Sequence, residues 1–384
     1  MDKSIYGLVQ AARLFDKKFI TVLINNMDFE KCAGDACLLM HKSSIGTVVI
    51  CVNINNTLCT GDKRSLDVFK GELRTFFATK EEGTMDEYVG CQIKRVNKKC
   101  IIIHQSDQLN KLRRIFEEDI EDLKSREMSF GSNNRITRPK EGEKLISKEE
   151  QTRYRSGISM LLYLVKYSRP DLSNAVRELS RANSGTTSDH IKSLLHVIKF
   201  ALDTKNKGLV YRIKYENEKN KWTLKAFSDS DWAGDADNRR SVTGFCIFIN
   251  DCLISWKSRG QKTVTLSSSK AKYVAVSEVC TEILFIKTIM DFLELKVKLP
   301  ITIMCNNIGA IFIAHDSKNS GRTKHINISH HFIREYIVDG MVQIKFVRSE
   351  ENFADPFTKN VSGDSCLKNS KTYLENIEES EGLN

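Results

Sequence analysis

The order of patterns from Trp222 to Asp355 restricts the fold of this chain more than any other feature. Residues 222–229, 242–250 and 252–257 read as three β-type runs, and a long helical pattern over 267–293 follows them. Next come a strand (301–305), helices at 307–314 and about 325–338, a strand (341–347) and a short helix near 351. Hairpin-connected strands followed by alternating helices and strands imply one mixed sheet covered by helices, because each apolar face must be buried against another layer. At 384 residues the chain has room for two or three such domains.

Upstream, Ile5, Leu8, Ala12 and Phe15 recur at helical spacing and predict an amphipathic helix to about Lys18. The β-branched run 47–54 and the return at 57–60 flank Asn55-Asn56, so a β-hairpin is predicted. A helix over 67–77 and a strand pair, 87–93 with 100–104, complete an α+β unit. Residues 124–151 turn polar without periodicity and read as a linker. Helices are predicted at 154–165, 172–179 and 189–202, the first two parted by Arg169-Pro170-Asp171. A charged stretch, 214–221, precedes the mixed-sheet region.

Composition narrows the function classes. None of the 11 cysteines forms a CxxC pair, and several lie in apolar runs, so reduced core thiols are expected rather than a zinc site or disulfide framework. No apolar run approaches the roughly 18 residues a membrane span needs. Met1 leads into Asp2 and Lys3 rather than an apolar leader, so an intracellular protein of cytoplasm or nucleus, with no membrane partner, is expected. The 59 basic and 49 acidic residues leave a net charge of +10, which alone suggests an anionic partner such as nucleic acid.

Eight segments carry a resemblance: YGLVQAARLF (6–15), YRSGISMLLYL (154–164), SRPDLSNAV (168–176), FSDSDWAGD (227–235), SVTGFCIF (241–248), ISWKSRGQKTVTLSSS (254–269), SGRTKHINI (320–328) and ENFADPFTK (351–359). In this order they resemble consecutive landmarks of copia-type retrotransposon Pol proteins, across nearly the whole chain. The resemblance implies a truncated reverse-transcriptase palm (1–124, fingers missing), a polar linker (125–151) and a helical thumb or connection region (152–213). A ribonuclease H-like mixed sheet with flanking helices (222–360) and a polar tail (361–384) follow. The nuclease domain, with its full set of elements, is expected to fold by itself, whereas the palm would expose surface that fingers normally cover.

The family implies two activities that each hold two Mg²⁺ ions on carboxylates, since a pair of hard cations needs several charged oxygens nearby. In the polymerase, a tyrosine-x-aspartate-aspartate turn maps onto Asn53-Ile54-Asn55-Asn56, so both aspartates are asparagines, Asn55 and Asn56. The third palm aspartate maps upstream of the YGL segment. Neutral amides are poor substitutes for carboxylates at divalent ions. In the nuclease, the first acid maps to Asp229, with Asp231 beside it, and the fourth to Asp355. The second, a glutamate in the first turns of the long helix, is Lys272, and the third, after Cys305, is Asn306. Those four positions carry −1, +1, 0 and −1, a total of −1 where the family carries −4. Two Mg²⁺ ions bring +4, so no metal pair is expected.

Relative to the family, Asn55, Asn56, Asn306 and Asn327 replace aspartate, and Lys270 and Lys272 replace glutamate. Each change can arise from a single G to A substitution, as cytosine deamination on one DNA strand, selected charge reversal or drift without constraint would leave; Asn53 does not fit that pattern. Four lost aspartates account for +4 and two glutamate-to-lysine changes for another +4, leaving a parental balance of about +2. Lys270 also stands three residues after Ser267, where a capping box would carry glutamate, and lysines there oppose the helix dipole.

The expectation is therefore a catalytically inactive fragment that retains weak binding to RNA, DNA or their hybrid and needs no cofactor, against an ancestral Mg²⁺ requirement. Two alternatives remain open, an active RNA-directed DNA polymerase and hybrid ribonuclease, and a co-opted nucleic-acid-binding or structural protein.

Overall fold

The fold is that of a computed structural model, which describes residues 10–53, 56–124, 135–213, 221–315 and 332–378. The chain divides into two compact units, residues 1–85 with 284–296, and residues 86–283 with 297–384.

In the first unit, helix α1 (Ala11–Met27) is followed by strands β1 (Glu30–Lys31), β2 (Leu38–Ser43), β3 (Gly46–Asn53) and β4 (Asn56–Gly61), then helix α2 (Lys63–Phe76). The strands form an antiparallel sheet in sequence order. Alternation places Val48, Ile50 and Val52 on its buried face, against Phe19, Leu23 and Met27 of α1 and Phe69 and Leu73 of α2. The predicted hairpin is present, closed by the Asn53 to Asn56 pair. The helix expected to stop near Lys18 continues to Met27, because the apolar stripe is prolonged by Phe19, Leu23 and Met27.

The second unit opens with β5 (Glu87–Tyr88), β6 (Cys91–Asn97), β7 (Cys100–His104) and α3 (Ser106–Ile120). Helices α4 (Lys148–Tyr167), α5 (Ser173–Ser180) and α6 (Ser188–Asp203) follow, then β8 (Lys207–Arg212) and the two-residue strand β9 (Lys221–Trp222). The mixed-sheet region comprises β10 (Leu224–Asp231), β11 (Val242–Ile249), β12 (Cys252–Gly260), α7 (Ser268–Phe292), β13 (Lys296–Val297), β14 (Ile301–Cys305), α8 (Ile308–His315), α9 (Ile333–Val338) and β15 (Val342–Phe346). Helix α10 (Gly363–Ser370) and strand β16 (Leu374–Asn376) close the described chain.

The expected mixed sheet runs β12-β11-β10-β14-β15, antiparallel between β10, β11 and β12 and parallel between β10, β14 and β15. This is the mixed sheet expected from the order of strands and helices, and α+β describes the chain. The expected short helix near 351 is two 3-10 turns, Ser349–Glu351 and Asp355–Phe357, and of the helix expected over 325–338 only α9 lies within the described residues.

Contacts cross three of the boundaries read from the sequence. Strands β5 to β7, read as part of a palm ending at 124, pair onward through β8 to β16 in a second antiparallel sheet, so 86–120 belong to the second unit. The segment read as a tail after 360 supplies α10 and β16, and buries Tyr373 and Leu374 beside Leu209, Phe227 and Phe248. Its apolar residues are too few to register as a pattern, yet they close the core of the mixed sheet. The linker, in its described part, is a strap: Ile136 is buried with the α3–α6 core, and Ile146 N–H bonds the Thr186 carbonyl at 3.0 Å. Helix α4 starts at Lys148, six residues before the predicted 154, because Ser147 and Glu150 form a reciprocal capping box. Among the described residues no helix is long and apolar enough to cross a membrane, and none of the eleven cysteines is in a disulfide.

Candidate active site

Strand β10 carries a polar run, Ser228-Asp229-Ser230, that is buried. A carboxylate stays charged in such surroundings only with partners. Asp229, 1% exposed, has two on its oxygens: the Lys272 ammonium pairs with Oδ1, and Thr358 Oγ1 donates to Oδ2 at 2.7 Å. Lys272 Nζ also donates to Asn306 Oδ1 at 2.7 Å, and Asn306 Nδ2 donates to Ser349 Oγ at 3.2 Å. Asp355 forms an ion pair with Lys359 at 2.8 Å and lies close enough to Asp229 to feel its charge. The four positions singled out from sequence in this region, 229, 272, 306 and 355, therefore converge.

Local structure explains the convergence. Asn306 directly follows β14, whose Cys305 lies beside Ser228 in the parallel pair. Lys272 is aimed from the start of α7, where Ser267 Oγ accepts the Lys270 N–H at 3.3 Å, so half of the expected capping box forms although Lys270 cannot return the bond. Buried Gln261 ties this helix start to the sheet, donating to Ala271 O at 2.9 Å and Thr243 Oγ1 at 3.1 Å. The turn that bears Asp355 is anchored by Asn352 Nδ2, which donates to the Ser228 carbonyl at 3.0 Å. Opposite Asp229 in β11 stands Gly244, where a Cβ would come within 2.6 Å of Thr358 Cγ2 and 2.9 Å of the Phe357 backbone. Only glycine lets that turn lie so close.

Burial alone would raise the Asp229 carboxyl, but the charge and hydrogen bond of Lys272, the Thr358 hydroxyl and Lys359 together hold it below the usual carboxylate range. Asp355 is raised, first by burial and then by Asp229, against the pull of Lys359. Burial lowers Lys359, yet Asp355 with Asp229 and Asp231 leaves it above the ordinary lysine value. Asp231, raised by burial, lies 3.3 Å from Arg135 on the strap. Counting Lys359, the cluster of Asp229, Asp355, Lys272 and Lys359 is neutral by itself.

These residues do not fit a pair of Mg²⁺ ions. Two of the side chains that converge on Asp229 are an ammonium and an amide, and the amide oxygen is already an acceptor for that ammonium. Among the described residues no group of three or more His, Cys, Asp or Glu could hold a metal ion.

In the first unit Asn56 opens β4 and is exposed, while Asn55 and Asn327 lie outside the described residues. Sequence reasoning passed over Thr358, Lys359, Ser349 and Gln261. The first two stand inside the quoted ENFADPFTK segment, and Gln261 inside ISWKSRGQKTVTLSSS; polar residues flanking a mapped acid were the available signal.

A family profile described as reverse transcriptase (RNA-dependent DNA polymerase) matches residues 1–121. The retrovirus-related Pol polyprotein from transposon RE2 of Arabidopsis thaliana is 29% identical over 365 residues, covering 94% of this chain and 24% of that protein. The corresponding polyprotein from transposon TNT 1-94 of Nicotiana tabacum is 27% identical over 375 residues, covering 94% and 27%. The chain thus spans about a quarter of the length of these curated relatives. Among solved structures, the foamy viral protease-reverse transcriptase in complex with an RNA/DNA hybrid aligns over 90% of this chain and 39% of its own, at 11% identity and a TM-score of 0.45.

Proposed function

We propose, from the premise that this chain belongs to the copia-type retrotransposon Pol family, that it is a reverse transcriptase and ribonuclease H segment with inactive catalytic centres and a residual, weak affinity for RNA, DNA or their hybrid. One observation carries the reading: the Lys272 ammonium sits between Asp229 and Asn306, hydrogen-bonded to both.

Hydrolysis by this family uses metal ions to activate the attacking oxygen and stabilise the leaving one. Lys272 places a fixed positive charge beside Asp229, the most deeply buried acid of the cluster. Unit charges 4 Å apart interact by about 4 kcal/mol at an effective dielectric near 20, so a divalent ion at that distance meets about 8 kcal/mol of repulsion from the ammonium. Lys272 cannot act as a general base while protonated and paired, and Asp229 has both oxygens engaged. In the polymerase turn, Asn55 and Asn56 offer no charge to a metal.

Binding is supported by family membership and by Lys257, Arg259 and Lys262, which surround Glu278 with an excess of positive charge. Such side chains attract phosphates without reading sequence, and the attraction is screened by salt. The test is a labelled RNA/DNA hybrid incubated with the full chain in Mg²⁺ or Mn²⁺, beside a Lys272→Glu/Asn306→Asp double variant. The unaltered chain is expected to bind weakly, with affinity falling steeply between low and physiological salt, and to leave the hybrid uncut. Cleavage by the unaltered chain would overturn the reading.

A further inference from the structure

We infer that the Lys272 ammonium is a built-in counter-ion that makes the folded state of this centre independent of divalent metal. The inference rests on the reading above, that no metal pair occupies the centre, and extends it from catalysis to stability.

The argument follows from the donors and acceptors. Asp229 is charged and almost wholly buried, so it needs a cation or several hydrogen bonds to persist. In a centre made only of acids, that cation has to come from solution. Here it is covalently part of the chain, at effectively unlimited local concentration, and its second hydrogen bond goes to Asn306 Oδ1. The Asn306 amide is oriented by its other end, since Nδ2 donates to Ser349 Oγ. Oδ1 is therefore the atom held toward the ammonium.

Positions 272 and 306 should consequently respond with opposite sign. Aspartate at 306 keeps an acceptor for Lys272 and adds an attractive charge, while the Ser349 hydroxyl can turn to donate to its second oxygen. Glutamate at 272 removes the only cation bonded to Asp229 among the described residues, and brings a second carboxylate against it and against the Asn306 carbonyl oxygen. Three acceptors then converge with no donor between them, unless a divalent ion enters.

Thermal unfolding of the full chain and of Lys272→Glu, Lys272→Gln and Asn306→Asp, each in EDTA and in Mn²⁺, tests this. The unaltered chain is expected to show the same Tm in both. Asn306→Asp should match or exceed it in EDTA, whereas Lys272→Glu should fall by on the order of 10 °C or fail to fold there. Mn²⁺ should recover Lys272→Glu but not Lys272→Gln, which lacks the added acid. A Tm for Lys272→Glu in EDTA equal to that of the unaltered chain, or an equal loss for Asn306→Asp, overturns the counter-ion and leaves the inactive centre standing. Stabilisation of the unaltered chain by Mn²⁺ overturns both.

Discussion

At the scale of single residues, the centre is governed by what a buried carboxylate demands. Asp229 accepts from Lys272 on one oxygen and from Thr358 on the other, so the removal of either donor leaves a desolvated charge short of a partner. Thr358→Val keeps the shape and deletes the hydroxyl, and is expected to lower stability by about 1–3 kcal/mol, whereas Thr358→Ser should stay closer to the unaltered chain. Urea denaturation of the two variants measures the difference; equal midpoints would mean the hydroxyl is idle. Positions 229 and 355 were legible in the sequence because each stands in a landmark segment, and 272 and 306 because one falls in the first turns of a long helical pattern and the other directly after a strand. Their partners were not. A hydroxyl such as Thr358 declares its role only when the turn that carries it is brought over Gly244, a contact between residues more than a hundred positions apart.

At the scale of elements, local pattern located β7 and β14 with their observed limits and most of β10, β11 and α7. Alternation and helical spacing are properties of neighbouring residues, so such elements announce themselves. Helix α3 went unassigned even though Leu109, Leu112, Phe116 and Ile120 form a clear buried stripe, since β7 runs into it with neither glycine nor proline between. Strands β8 and β16 were missed for a different reason: they are six and three residues long and pair with each other across more than 160 positions. The β7–α3 junction also gives a pH dependence. Burial lowers the half-buried His104 imidazole below its ordinary value, with Asp107 opposing and Lys94 assisting, and its Nδ1 lies 2.9 Å from Ser106 Oγ at the start of α3. A lowered histidine contributes stability that is complete above its unfolded value, about 6.5, and lost as pH falls from there through the folded value. Denaturation midpoints should therefore drop on acidification through that window, and the drop should be smaller in His104→Asn. Parallel profiles would assign the effect elsewhere.

At the scale of the whole molecule, the sequence order of landmarks conveyed the family, while the contacts redraw its boundaries. The mixed sheet cannot be separated at 222 and 360 without cost, because Leu209, Tyr373 and Leu374 close its core, Trp256 Nε1 donates to the Val165 carbonyl at 2.8 Å, and Arg177 Nε donates to Ser258 Oγ at 3.0 Å. The strap is bound in the same way: Arg181 joins the Ile136 carbonyl to Asp235 and Asp237 in the loop after β10. Residues 222–360 thus have long-range partners that no local pattern discloses. Charge, too, means something different at this scale, for one of the cations behind the +10 balance, Lys272, is used inside the fold. The central claim is that this lysine holds the place of a cation. Anomalous diffraction from crystals of the full chain soaked in Mn²⁺ examines it directly: the account expects the Lys272 ammonium between Asp229 and Asn306 with no Mn²⁺ peak there, and a Mn²⁺ ion coordinated by Asp229 would contradict it.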